Sequence, residues 1–129
     1  MSSARVLASA CFTFVLLAGG LAEASAQKGL SLAKRGDCVN AVPELEKAET
    51  QRHTPETAVA MAKCLVTLGE LVRAADLYQR VASEPALRTW TPRDHTAQKT
   101  AKKDAPVVEA RVAKLLVRVD RADAADFQI

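Results

Sequence analysis

The chain has 129 residues and a net charge of +3, and 49% of it is apolar although only 4% is aromatic. That length allows one small domain with a modest core, and so small a charge singles out no nucleic-acid partner. Alanine, leucine and valine dominate, which suits helices packed closely through small side chains.

The N-terminus comes first. Arg5 precedes an uncharged apolar run, Val6 to Ala22, and then Ala24-Ser25-Ala26 offers a small-x-small cleavage pattern with Gln27 as the new first residue. A charged start, an apolar middle and a small-residue exit predict a secretory signal peptide over residues 1–26. Two alternatives stay open. The run is at the short limit for a membrane anchor across roughly 30 Å of hydrocarbon, and Cys11 could carry a lipid. Removing residues 1–26 from 129 leaves 103, and because that segment holds one Arg and one Glu the charge stays at +3.

The stretch KRGDCVNAVPELEKAE, residues 34–49, returns thirty-three residues later as TLGELVRAADLYQRVA, residues 67–82. Gly36 falls on Gly69, Asp37 on Glu70, Val39 on Val72, Ala41 on Ala74 and Leu45 on Tyr78. Apolar residues lie at helical spacing on both sides of each glycine, so each unit reads as helix, tight turn, helix. Glycine suits the turn because it accepts φ > 0 without steric cost. The acidic residue after it favours a helix N-terminus, and alanine at 41 and 74 lets the two helices cross closely. Pro43 is the local conflict. It predicts a second helix that starts late, near Val39 or Asn40, or one that is kinked.

In these residues the chain resembles the tetratricopeptide repeat. The first unit supplies Gly29, Leu32, Gly36, Asp37, Ala41, Leu45 and Ala48, and the second Ala62, Leu65, Gly69, Glu70, Ala74 and Tyr78. Val81 stands where alanine is usual, the closing proline is displaced (Pro55 and Pro85), and the period of 33 is one short of the family's 34. The resemblance covers about half the chain and implies an all-α fold, a short right-handed solenoid of antiparallel hairpins over residues 27–88. It further implies a concave groove, lined by the first helix of each unit, that takes a peptide or a partner helix. Lys34, Glu56, Val59, Lys63, Val66 and Thr67 project onto that groove. The family's carboxylate clamp is not reproduced, because Leu30 and Lys63 stand where asparagine would serve.

After the second unit, Thr91, Pro92 and Asp94 predict a helix start with an acidic capping box. Residues 89–114 read as a capping helix or helix pair, interrupted or kinked at Pro106. Beyond them, Val117 and Val119 alternate with Arg118 and Asp120, and Phe127 and Ile129 flank Gln128. Residues 115–129 therefore read as a β-prone tail. It resembles secreted bacterial proteins in which such repeats precede a small β-domain of the PEGA type, although the Pro-Gly-Ala motif is missing.

Candidate chemistry is sparse. Cys38 and Cys64 fall at the start of one helix and late in the next, which would run antiparallel beside it. They form either a disulfide closing a loop of about 26 residues, worth about 3 kcal/mol, or two free buried thiols. The absence of C-x-x-C argues against a redox pair. His53 and His95 have no ligand partners at metal spacing, and no phosphate loop or nucleophile elbow occurs. The basic stretch from Arg93 to Lys103 could touch acidic partners or anionic lipid head groups, but reads better as a solvated helix face. Without interleaved aromatics it gives base stacking no support.

The expectation is thus a non-enzymatic, cofactor-free protein, periplasmic or secreted, that acts as a protein–protein interaction scaffold or accessory factor of the cell envelope. Its partner would be a protein or peptide, or a second copy of the chain, and it would meet a membrane only if residues 1–26 are retained. The alternative is a membrane-anchored spacer carrying a C-terminal β-domain.

Overall fold

The computed structural model describes residues 14–126, which form five helices: α1 (Phe14–Lys34), α2 (Cys38–Gln51), α3 (Pro55–Thr67), α4 (Leu71–Ser83) and α5 (Pro92–Asp126). The fold is all-α, and no strand occurs among the described residues. Cys11 and the start of the candidate signal segment lie outside them, as do Phe127 and Ile129 of the tail. No helix among the described residues is long and apolar enough to cross a membrane.

The sequence echo becomes a repeated turn. Gly36 and Gly69 both adopt positive φ, 78° and 83°. Gly36 N–H donates to the Ala33 carbonyl and Asp37 N–H to that of Leu32, both at 3.0 Å. Gly69 N–H and Glu70 N–H repeat the pattern onto Val66 and Leu65, at 3.1 and 2.9 Å. Each turn is a Schellman stop that satisfies the last carbonyls of the helix before it. The next helix begins at once, but the two starts differ. Asp37 accepts from Asn40 N–H and from its amide, whereas Glu70 makes no capping bond and pairs with Arg73 instead.

At the N-terminus of α3, Thr54 accepts from Thr57 N–H at 3.3 Å, with Pro55 in the first turn. The α5 start is tied more firmly. Asp94, 5% exposed, accepts from Thr91 N–H and Thr91 Oγ1, both at 2.8 Å. Asp94 N–H donates back to Thr91 Oγ1 at 3.3 Å, which closes the acidic capping box. Its second oxygen accepts from Glu56 N–H at 3.2 Å, joining the starts of α3 and α5.

Two sequence expectations are corrected, at Pro106 and in the tail, and the start of α2 falls one residue before the expected Val39. α2 starts at Cys38 and carries Pro43 in its interior, and the Val39 carbonyl that loses its donor lies on an exposed residue of the first turns, where water can replace the bond. Pro106 does not end α5, which runs on to Asp126 as one helix and not a pair; Pro106 and Lys102, whose carbonyl it deprives, are both exposed. The β-prone tail is helical through Asp126. Residues 115–126 hold seven Leu, Arg and Ala against five Val and Asp, and extending an existing helix needs no new nucleus, whereas an isolated two-stranded hairpin is marginal in water.

Packing centres on α3, which touches all four other helices. Eight of its thirteen residues are buried, from Pro55 to Leu65, the pattern of a helix covered on most sides. By contrast α4 buries one face through Leu71, Ala74, Leu77, Tyr78 and Val81. Ala41, Ala74 and Ala101 are fully buried where helices meet. Gly29 lies against Leu45 so closely that an added Cβ would fall 2.7 Å from Leu45 Cγ. The boundary expected after Ala26 falls inside α1, which continues through it without a break.

Candidate functional site

Short connections make successive helices antiparallel, so α1, α3 and α5 run in one direction. α3 packs against both α1 and α5. The three leave a cleft of about 640 Å³ between them, with α3 as its floor and α1 and α5 as walls. That volume lies in the range of binding pockets, roughly 300–1,000 Å³.

The cleft has two unlike ends. At one, α1 and α3 finish with Lys34, Lys63 and Thr67 around Gly36, Cys38 and Cys64. At the other, α3 and α5 begin with Glu56, Pro92 and Arg93, and Arg93 Nη1 lies 3.8 Å from Glu56 Oε1. Between them Leu30, Ala33, Val59, Ala60 and Ala97 supply an apolar surface. Thr96 and Thr100 complete the α5 wall, their hydroxyls donating to the Pro92 and Thr96 carbonyls of their own helix. Lys34 and Lys63 have no carboxylate within ion-pair distance among the described residues, whereas Lys28 and Arg73 on other faces are both paired.

Of the six residues projected onto a groove, the structure brings Lys34, Glu56, Val59, Lys63 and Thr67 to this cleft; Val66 packs against the core instead. Sequence reasoning missed Ala33 and Ala60 in the apolar part of the lining and, with Ala97, the α5 wall of Arg93, Thr96 and Thr100. The signal for that wall was the recurrence of Thr-Pro at residues 54–55 and 91–92, which gives α5 the same start as α3. Cys38 and Cys64 face each other across the α2–α3 contact with Cα atoms 5.0 Å apart, a separation that a disulfide spans.

Elsewhere, His53 Nδ1 lies 2.5 Å from Glu49 and its Nε2 2.6 Å from Glu84. Partial burial alone would lower the imidazole pKa, but the hydrogen bond and charge of Glu49, joined by Glu84, raise it above the ordinary value. Burial, with help from Asp104, pushes the Tyr78 phenol up to about 12 and keeps it neutral. Among the described residues no cluster of three or more His, Cys, Asp or Glu converges as metal ligands.

Comparison of the chain with protein-family models, with characterised proteins and with solved structures finds no match.

Proposed function

We propose that this protein is an exported, tetratricopeptide-like scaffold of the cell envelope that docks a protein or peptide partner in the cleft between α1, α3 and α5. The observation that carries the reading is the cleft itself: three helices running in one direction around an apolar floor with charged ends. The repeated glycine turns at Gly36 and Gly69 support the hairpin-repeat assignment. Export fits the same geometry, because the α1 residues that line the cleft, Leu30, Ala33 and Lys34, all follow Ala26. In an oxidising compartment Cys38 and Cys64 pair as a disulfide that pins the start of α2 to α3. The role is one of binding and not of catalysis.

A photo-crosslinking residue placed at Thr96 in the cleft, or at the exposed Arg80 on α4, tests this in expressing cells. Specific adducts from Thr96 and none from Arg80 are the expected result; equal labelling or none overturns it. Intact mass of the protein from fractionated cells tests export, the expected form starting at Gln27 in a soluble fraction. A full-length chain held in the membrane fraction points instead to the anchored spacer.

A further inference from the structure

The cleft is chemically polarised, and that polarity specifies an occupant. Lys34 from α1 and Lys63 from α3 stand at one end without carboxylate partners among the described residues, while at the other end Arg93 lies beside Glu56. Each ammonium offers three donors. The neighbouring Thr67 hydroxyl adds none, because it donates to the Lys63 carbonyl at 3.2 Å. A small free anion would find only two exposed lysines and an apolar floor, which is a poor cage for it. An anionic membrane surface is also a poor match, since a concave floor cannot lie against a bilayer. A chain segment with apolar side chains on one face and carboxylates at one end meets the apolar floor and the lysine end, and leaves Glu56 paired with Arg93 at the other.

Resting on the docking role proposed above, we infer that the cleft takes an acidic amphipathic protein segment. Its apolar residues lie on Leu30, Val59 and Ala60, and its Asp or Glu side chains meet Lys34 and Lys63. The segment therefore binds in one direction, with its acidic end toward the α1–α2 turn. Charge also sets the salt response: the attraction to Lys34 and Lys63 is exposed and weakens as ionic strength rises.

The test pans a displayed library of random short peptides against the full chain, and repeats the selection against Lys34→Glu/Lys63→Glu. Ala60→Phe and Thr96→Trp fill the cleft in two independent ways, so that failure of one variant to fold leaves the other; circular dichroism checks each. The expected outcome is enrichment of peptides rich in Asp, Glu and Leu-type residues, whose binding is lost on filling the cleft. Reversing both lysines should weaken those peptides about tenfold and remove most of their salt dependence. Enriched peptides that need an open cleft but are neutral or basic overturn the acidic assignment and leave docking in the cleft intact. Peptides indifferent to both fillings, no enrichment at all, or binding to phosphatidylglycerol vesicles in its place overturn both.

Discussion

Gly29 and Leu45 fix the approach of α1 to α2: a Cβ built on Gly29 would lie 2.7 Å from Leu45 Cγ and 3.1 Å from its backbone nitrogen. The leucine side chain can be displaced only within a full core, where it is completely buried, and the backbone cannot follow. Gly29→Ala is therefore expected to destabilise by overpacking, by about 1–3 kcal/mol. Gly36→Ala meets nothing within 4 Å and should cost about 1–2 kcal/mol from its left-handed backbone alone. Urea denaturation separates the two causes. Leu45→Ala should partly rescue Gly29→Ala and leave Gly36→Ala unchanged.

Asp94 ties α5 to α3 through Glu56 N–H while it caps its own helix at Thr91. Asp94→Ala strips a buried acceptor from three donors and is expected to cost about 2 kcal/mol or more. Because α5 is one wall of the cleft, crosslinking from Thr96 should fall as well. Asp94→Asn keeps one acceptor oxygen and should fall between wild type and alanine in thermal melts.

Joining Cys38 to Cys64 shortens the unfolded chain by a loop of 26 residues in sequence separation. Replacing both with alanine, or adding a dithiol reductant, should lower stability by about 3 kcal/mol. Thiol alkylation before and after reduction, read by intact mass, checks the linkage. Two thiols that alkylate without reductant would show it to be absent.

His53 sits between Glu49 and Glu84 with a raised pKa. A group whose folded pKa is raised adds stability that is fully present below its unfolded value of about 6.5 and is lost as pH rises through the folded value. Melting temperature should therefore decline from mildly acid to mildly basic pH, and His53→Gln should flatten that part of the profile. The ring is 43% exposed, so solvent screening holds the effect below about 1 kcal/mol.

What could be read from sequence was whatever a single residue type dictates locally. Gly36 and Gly69 announced their turns because positive φ excludes most other residues, and Thr91 with Asp94 announced a helix start. Pro43 and Pro106 were over-read: proline's penalty is smaller where the freed carbonyl reaches water, and exposure is a tertiary property. Val117 and Val119 suggested a strand by spacing, yet period-two spacing over so few residues also fits a helix already under way from Pro92. Val66 lay one step off the cleft-facing arc of α3, a rotation that spacing alone does not fix. His53 was read only for metal partners; Glu49 lies four residues before it, but Glu84, its second partner, is distant in sequence and arrives only when α4 folds back beside α3.

The central position of α3 has a consequence for how the molecule breathes. Since this helix borders all four others, neither hairpin can swing away without baring its apolar sides. Its amide protons, from Ala58 through Leu65, should then exchange with solvent only when the whole domain comes apart, and their slowest rates should report the global unfolding free energy. A segment seated in the cleft would slow those protons by the same factor by which it stabilises the native state. Exchange in α3 thus becomes a gauge of occupancy that needs no knowledge of what has bound.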